Sequence, residues 1–269
     1  MAQTMKALVY VDKERLEVRE YPIPTPSSSE ALIRVRAAGI CGTDHSILAG
    51  AHPRARGPLV MGHELSGEVA AICGENPAGL KEGDAVTVEP LISCGRCPAC
   101  LSGNAHVCNT LKLYGIDRDG AFAQYMVTAT SSLRRLTRGV DFALGALVEP
   151  LAVAVHSVRV GEVRVGDAVC VIGAGPIGVL VAIVARLSGA ARVILCERQA
   201  FRIEHSRSLG LEVIDSSAPD FEEQVLARTD GNGADVVFEA AGAPEAVLAA
   251  FRLCRTQGTV IQVSNPKKP

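Results

Sequence analysis

The feature that most constrains the fold of this 269-residue chain is the stretch AVCVIGAGPIGVLVAIVA at residues 168–185. A short β-type run ends at a cluster of three glycines and one proline, and a longer apolar run suited to a helix follows it. The cluster reads G-x-G-x-x-G and stands between the predicted strand and the predicted helix. A turn of this kind belongs to a parallel α/β sheet and points free backbone N–H groups at a bound pyrophosphate.

Each glycine of this motif has a separate predicted role. Gly173 makes the tight turn, Gly175 lets the backbone approach the pyrophosphate, and Gly178 lets the helix pack closely on the strand. Pro176 and Ile177 belong to the same predicted cofactor-binding loop. The sequence therefore predicts a dinucleotide site at residues 173–178.

The next predicted strand ends at Glu197, 24 positions after Gly173. A carboxylate there can accept hydrogen bonds from both adenosine ribose hydroxyls and would repel a 2′-phosphate, so NAD is favoured over NADP. Arg198 beside it could instead hold that phosphate, and a solvent-exposed glutamate at a strand end is the simpler alternative. We count both residues among the cofactor-binding candidates.

The predicted pattern of secondary structure changes at about residue 150. Residues 1–150 read as short strands with loops, which predicts a small β-barrel. Strands are predicted at 6–11, 15–20, 31–39, 64–72 and 84–90. Residues 151–269 alternate strands and helices in the manner of a parallel sheet. We therefore expect two domains, 1–150 and 151–269.

Composition excludes several classes of function. With 27 basic and 29 acidic residues there is no basic surface for nucleic acid. The N-terminus lacks the apolar run of a signal peptide, and the glycine cluster breaks the one stretch long enough to suggest a membrane span. Nine cysteines, an odd number, favour metal-binding thiols in a reducing compartment, so we expect a cytoplasmic protein without a membrane partner.

Four cysteines fall close together in SCGRCPACLSGNAHVC, at Cys94, Cys97, Cys100 and Cys108. Four thiolates at such spacings can enclose one tetrahedral Zn²⁺, and closed all-cysteine sites are structural. An iron–sulfur cluster would use the same ligands, but nothing else in the chain suggests electron transfer. A redox C-x-x-C would have to open a helix in a thioredoxin-like unit, which is not visible here. The spacing favours a structural zinc.

A second set of metal-ligand residues is dispersed: Cys41 in GICGTDH, His63 and Glu64 in MGHELSG, and Glu149 in VEPLAVAVH. Each alone has an ordinary explanation in the core or on the surface, and no local spacing forces them together. Their mixture of thiolate, imidazole and carboxylate is nevertheless typical of a catalytic zinc that leaves room for water or substrate.

Five motifs in series, CGTD, GHE, the cysteine cluster, EPLA and GAGPIG, resemble those of the zinc-containing medium-chain alcohol dehydrogenases. The resemblance runs from Lys6 to about Ser264 and is narrower for the sorbitol, polyol, sugar-acid and threonine dehydrogenase branch. It implies an α/β protein: a GroES-like β-barrel catalytic domain, then a doubly wound Rossmann sheet, with the active site in the cleft between them. It also implies hydride transfer from a secondary alcohol to NAD, giving a ketone, and a homodimer or homotetramer.

The resemblance assigns roles to individual residues. It implies that Cys41, His63 and Glu149 are ligands of a catalytic zinc and that Glu64 ligates it or exchanges with water there. The four clustered cysteines match the structural zinc lobe. Thr43 matches the hydroxyl that takes the substrate proton, and Asp44 matches a residue that orients His63.

The chain departs from the family pattern in two places. Ser46 stands where the family often has the histidine that ends a proton relay. His45 lies one place earlier and is either the relay residue or a histidine that faces solvent. His52 is a further candidate for the relay residue. The family also continues with a sixth Rossmann strand and a return segment, so we expect a C-terminally truncated chain with an incomplete sheet. The alternatives are a truncated, non-catalytic zinc- and nucleotide-binding protein and a zinc-free reductase such as a quinone reductase. The second is disfavoured because those relatives lack both ligand sets.

Overall fold

The computed structural model describes residues 3–265 and divides the chain into two compact units, Met1–Glu149 and Pro150–Pro269. Residues 1–2 and the segment 266–269, which fall within the two predicted domains, lie outside the described residues.

The first unit consists of short strands and short helices. In chain order they are β1 (Thr4–Asp12), β2 (Arg15–Pro22), β3 (Glu30–Gly39), α1 (Gly42–Leu48), β4 (Leu59–Val60), β5 (Glu64–Cys73), β6 (Ala85–Val88), β7 (Leu91–Ile92), α2 (Pro98–Leu101), β8 (Lys112–Leu113), β9 (Tyr125–Ala129), β10 (Leu133–Arg135) and α3 (Phe142–Ala146). Two 3-10 turns at Ala105–Val107 and Thr130–Ser132 also belong to this described part of the chain.

The strands of the first unit pair antiparallel, in the orders β10-β6-β5-β3-β9, β2-β1-β4 and β7-β8. The strand predicted at 31–39 is confirmed as β3, in which Ile33 is fully buried whereas Arg34 is exposed. Inward-facing apolar side chains build the core between these strands, among them Ala31, Ile33, Leu65, Val69, Val86 and Met126. Each large side chain buried there contributes about 1.5–3 kcal/mol.

The second unit alternates helices and strands. Its elements are α4 (Val148–Val160), β11 (Ala168–Ile172), α5 (Pro176–Leu187), β12 (Arg192–Glu197), α6 (Ala200–Ser208), β13 (Glu212–Asp215), α7 (Phe221–Ala227), β14 (Ala234–Glu239), α8 (Pro244–Leu253) and β15 (Cys254–Gln262). Helix α4 begins in the last two residues of the first unit. Pro150 lies in its first turn, where the missing N–H would have no helical partner anyway.

The strands of the second unit form a parallel sheet in the order β13-β12-β11-β14-β15. Alternate residues of β11 face opposite sides: Val169 and Val171 join a core with α4, α5 and α6, whereas Cys170 and Ile172 join one with α7 and α8. Helices thus cover both faces, and the predicted doubly wound sheet is confirmed. Its strands read as continuous apolar runs because both of their faces are buried.

Two elements differ from the sequence predictions. The sequence predicts the last strand in GTVIQVS, residues 258–264, whereas β15 already begins at Cys254, directly after α8. Cys254 pairs with Ala234 ahead of an irregularity in the β14–β15 register. Helix α1 follows Cys41, in a segment for which the sequence analysis predicts a ligand motif but no helix. Within residues 3–265, no helix combines the length and the apolar character that crossing a membrane requires.

Candidate metal centres and dinucleotide site

The structure gathers the four clustered cysteines into one group. Cys97 precedes α2, Cys100 lies within that helix, and Cys108 follows a 3-10 turn, so the chain curls back on Cys94. All four Sγ atoms lie within 4.8 Å of one another, and those of Cys97 and Cys100 are 3.5 Å apart. A tetrahedral zinc with Zn–S bonds of about 2.3 Å requires S–S distances of about 3.8 Å. The group fits a closed zinc site.

The backbone around this group favours the ligand form of the thiols. Backbone N–H groups hydrogen-bond the thiols of Cys94, Cys97 and Cys108 and lower the pKa of all three. Burial, followed by a hydrogen bond with Cys97, raises the pKa of Cys100 to about 11. Since thiolates are the form that binds metal, these N–H donors support the zinc interpretation.

The structure also brings part of the dispersed set together. Gly39 at the end of β3 pairs with Glu64 at the start of β5, so Cys41 lies next to His63 and Glu64. The ligand atoms of Cys41, His63 and Glu64 lie within 4.8 Å of one another. His63 and Glu64 are buried, and His63 Nδ1 has no hydrogen-bond partner among the described residues. A buried imidazole nitrogen without a partner beside a thiol and a carboxylate fits a metal ligand set.

A nearby positive charge, such as a metal ion, would stabilise the charged forms of Cys41 and Glu64, because both side chains are largely buried. Burial raises the pKa of the Cys41 thiol and of the Glu64 carboxyl group, because neither charged form is well solvated. Glu149, in the first turn of α4, also has its pKa raised by burial, and the charges of His63 and Glu64 both act on it. Glu149 therefore lies near the set but outside the group of three within 4.8 Å.

Thr43 lies beside these ligands. Its backbone N–H and its hydroxyl both hydrogen-bond the Cys41 thiol. His45, two residues further along α1, is exposed to solvent. His52 lies in the loop after α1, where its Nδ1 accepts N–H bonds from Arg54 and Ala55 at 3.3 and 3.1 Å.

The resemblance implies that Asp44 orients His63, but His63 Nδ1 has no hydrogen bond with the Asp44 carboxylate. Asp44 is buried, and its Oδ2 accepts the backbone N–H of Cys41 at 2.8 Å, which fixes the start of α1. Its Oδ1, like His63 Nδ1, has no hydrogen-bond partner within residues 3–265. Asp44 thus orients Cys41 through the backbone, because the short α1 turns its carboxylate back toward the preceding loop.

The glycine-rich loop has the shape that a pyrophosphate requires. Gly173 follows β11 with φ +102°, a conformation that favours glycine. Gly175 precedes α5 without a side-chain cap, and a Cβ added there would meet no atom within 4 Å. A Cβ on Gly178 would lie 1.8 Å from the Gly173 carbonyl oxygen. Pro176 and Ile177 lie in the first turn of α5, where backbone N–H groups have no helical partner and can bind an anion.

Glu197, the last residue of β12, is buried and well bonded. Its Oε1 accepts the N–H groups of Arg198 and Gln199 at 2.8 and 3.0 Å, and its Oε2 accepts that of Ala174 at 2.9 Å. Burial on its own raises the pKa of Glu197, but these N–H groups and the charge of Arg202 more than reverse the effect. One Oε2 lone pair remains for a ligand.

A cavity of about 700 Å³ opens beside the glycine loop and Glu197. That volume lies in the range of cofactor sites. Sequence reasoning missed Arg202, which lines the cavity with its Nη1 3.7 Å from Glu197 Oε2. It also missed Glu239 at the end of β14, which directly precedes the lining residue Ala240. The signal for Glu239 was present, because VVFE, like VILCE, is a buried strand that ends in glutamate.

Known proteins match both units. The family model of the alcohol dehydrogenase GroES-like domain matches residues 27–138, and that of the zinc-binding dehydrogenases matches residues 176–269. The L-galactonate-5-dehydrogenase of Escherichia coli (strain K12) is 37% identical over 261 residues, which are 97% of this chain and 76% of that protein. The chain belongs to the zinc-containing medium-chain alcohol dehydrogenase family.

Further relatives agree with this membership. L-Threonine 3-dehydrogenase of Bacillus licheniformis is 39% identical over 252 residues, 92% of this chain and 72% of that protein. The crystal structure of a zinc-binding dehydrogenase of Sinorhizobium meliloti 1021 bound to NADP matches with a TM-score of 0.93 and 36% identity, over 99% of this chain and 79% of that one. This chain thus spans about three quarters of these family members. It is an oxidoreductase, and the predicted fold class, a GroES-like part followed by a Rossmann-type parallel sheet, is confirmed.

Proposed function

We propose that this family member is a zinc-dependent dehydrogenase that transfers a hydride from a secondary alcohol to NAD and releases a ketone. The observation that carries the proposal is the convergence of Cys41, His63 and Glu64 from separate segments to within 4.8 Å. Thiolate, imidazole and carboxylate ligands are the donors of catalytic zinc sites that keep a position open.

Two zinc ions would occupy the two ligand sets. Cys41, His63 and Glu64, with Glu149 nearby, would hold the catalytic ion, and the four clustered cysteines would hold the structural one. When bound, the catalytic zinc supplies a Lewis acid that lowers the pKa of an alcohol, and NAD supplies the hydride acceptor.

Side chains of the protein would transfer the proton of the substrate hydroxyl to solvent. The Thr43 hydroxyl lies beside the ligand set because it hydrogen-bonds the Cys41 thiol. A hydroxyl both accepts and donates, so Thr43 can take the proton of the substrate while it passes its own proton on. His45 is exposed on the same helix and would be the relay to solvent.

NAD is proposed as the cofactor, because the Glu197 carboxylate faces the cavity beside the glycine loop and would repel a 2′-phosphate. Arg198 and Arg202, which line the same cavity, are the residues that could reverse this preference. Fluorescence titrations with NADH and NADPH test it. We expect tighter binding of NADH, and tighter binding of NADPH would contradict the proposed role of Glu197.

The substrate class is a polyol, a sugar acid or a hydroxy amino acid. The sugar-acid and hydroxy-amino-acid classes follow from the two relatives, since carbon 5 of L-galactonate and carbon 3 of L-threonine both carry secondary alcohols. The polyol class follows from the resemblance of the motifs to the sorbitol and polyol dehydrogenase branch. NADH formation with polyols, sugar acids and threonine is the direct test. A wild-type chain that is inactive on all three classes would contradict the substrate proposal.

The catalytic roles are tested with matched variants. We expect Thr43→Ala to lower kcat by about 10²-fold, the scale of proton-transfer catalysis. Ser46→Ala is the control, because Ser46 is a hydroxyl on the same helix that hydrogen-bonds the Gly42 carbonyl. Equal activity of the two variants would contradict the role of Thr43.

We also propose a homodimer or homotetramer, as the resemblance to the family implies, and a place in the reducing cytosol, where the metal-binding thiols stay reduced. Light scattering coupled to gel filtration tests the assembly. A non-catalytic zinc- and nucleotide-binding protein is not favoured, since the proposed ligands, Thr43 and the glycine loop are all present.

A further inference from the structure

Glu239 is a buried carboxylate that the proposed reaction does not use. It ends β14 and is 1% exposed. Its Oε1 accepts the N–H groups of Ala241 and Gly242 at 2.7 and 2.8 Å, and its Oε2 accepts the hydroxyl of Ser264. Burying a carboxylate costs free energy unless hydrogen bonds compensate for the lost hydration. The three donors therefore fix the position of Glu239, and Glu239 in turn fixes the positions of the donors.

The segment that Glu239 holds is a wall of the dinucleotide cavity. Residues 240–243 line that cavity together with Gly173 and Gly175. The N–H of Ala240 donates to the Ile172 carbonyl at 2.8 Å, and a Cβ built on Gly173 would lie 3.0 Å from the Ala241 nitrogen. The loop after β14 therefore packs directly against the glycine-rich loop.

Glu239 repeats the arrangement of Glu197 on the other side of β11. Strands β12 and β14 flank β11, and each ends in a glutamate whose Oε1 accepts two N–H groups of its own following loop. Glu197 bonds the glycine loop directly through the Ala174 N–H, whereas Glu239 fixes residues 240–243 that pack on it. The glycine loop is thus supported from both neighbouring strands.

We infer that Glu239 is a positioning residue of the dinucleotide site, which fixes the 240–243 loop against the glycine-rich loop. The inference rests on the proposed binding of a nicotinamide dinucleotide. It gives Glu239 a role separate from Glu197, because Glu197 itself lines the cavity, whereas Glu239 does not and acts on the cofactor only through the loop.

The test compares the Kd for NADH, measured by fluorescence, with the urea midpoint of unfolding. We expect Glu239→Ala to weaken NADH binding about tenfold or more, since two hydrogen bonds to the 240–243 loop and one to the Ser264 hydroxyl are lost. Glu239→Gln should stay within about threefold, because its amide oxygen still accepts both N–H groups and its NH₂ can donate to Ser264. Glu239→Asp, one methylene shorter, should weaken binding by about fivefold.

The control lies at the other end of the same strand. Asp235 accepts the Ala168 N–H at 2.7 Å and the Arg255 Nε at 2.6 Å, outside the residues that line the cavity. Asp235→Ala should lower the urea midpoint and leave the Kd for NADH unchanged.

The outcomes separate the inference from the proposed function. Unchanged NADH affinity in Glu239→Ala, or an equal loss in Asp235→Ala, would overturn the positioning role alone. If Glu239→Ala does not fold, equal affinities of the Gln and Asp variants would overturn it. A wild-type chain that binds neither NADH nor NADPH would overturn the dinucleotide proposal together with this inference.

Discussion

At the scale of single residues, the space beside Glu64 decides where that carboxylate can lie. A Cβ added to Gly39 would lie 2.2 Å from Glu64 Oε2, and the flexible carboxylate would move more easily than the strand. We therefore expect Gly39→Ala to lower kcat about tenfold or more and to weaken retention of the catalytic zinc, because the Glu64 carboxylate is displaced. Activity and zinc content of the purified variant measure this.

The matched control for Gly39 is Gly42, on the other side of Cys41. A Cβ on Gly42 would meet nothing within 4 Å, so Gly42→Ala should keep both zinc ions and full activity. Similar behaviour of the two variants would show that the room beside Glu64 does not matter.

The residue types of the candidate site could be predicted from the sequence, but their exact partners could not. The motifs pointed to Cys41, His63 and Glu64, which the β3–β5 register brings together. The distance of Glu149 from this group depends on where α4 begins, and the bond from Asp44 to the Cys41 N–H depends on the short α1. Neither helix could be predicted from a seven- or nine-residue motif.

At the scale of elements, two glycines of the α5 turn should behave differently. A Cβ on Gly178 would collide with the Gly173 carbonyl, so Gly178→Ala should cost about 1–3 kcal/mol of stability and weaken NADH binding. A Cβ on Gly175 would enter the open space of the cavity, so Gly175→Ala should weaken NADH binding at nearly unchanged stability. Urea unfolding and NADH titration of both variants measure this, and equal destabilisation would contradict it.

Glu197, which ends β12 and accepts the N–H of Ala174 in the glycine loop, should make the free energy of unfolding fall at acidic pH. The pKa of Glu197 is lowered in the folded chain, so the unfolded chain takes up the proton first as the pH falls. The stabilisation is therefore complete above the usual pKa of glutamate and disappears as the pH falls through the lowered folded-state pKa. The free energies of unfolding of wild type and Glu197→Gln should converge on acidification.

The control for this pH effect is Glu204→Gln, an exposed glutamate on α6. Its free energy of unfolding should follow that of the wild type at every pH. A constant difference between wild type and Glu197→Gln across the acid range would contradict the assigned role of the Glu197 carboxylate.

Long apolar runs made the elements of the second unit predictable, whereas the first unit was only partly so. Strand β11 and helix α5 could be read from the glycine turn and the apolar runs around it. The two-residue strands β4, β7 and β8 carry no periodicity of their own and exist only through their pairing partners.

At the scale of the whole molecule, the metal-ligand sets and the dinucleotide loop belong to different units. Both ligand sets lie within Met1–Glu149, whereas the glycine loop and Glu197 lie within Pro150–Pro269. Each unit has its own apolar core. Because zinc binding is coupled to folding, we expect a chelator to lower the thermal midpoint of the first unit and abolish activity while NADH binding persists.

Differential scanning calorimetry and NADH titration after chelation measure this separation. Re-addition of zinc should restore the wild-type transition. Loss of NADH binding in step with loss of zinc would contradict the assignment of metal and dinucleotide to separate units.

The most direct test of the central claim is the number of zinc ions per folded chain, by native mass spectrometry with elemental analysis. Two sites are proposed, so we expect two zinc ions in the wild type and one each in Cys94→Ser and Cys41→Ser. A wild-type chain with one zinc that Cys41→Ser retains would contradict the catalytic site. A chain without zinc would contradict the interpretation of both ligand sets.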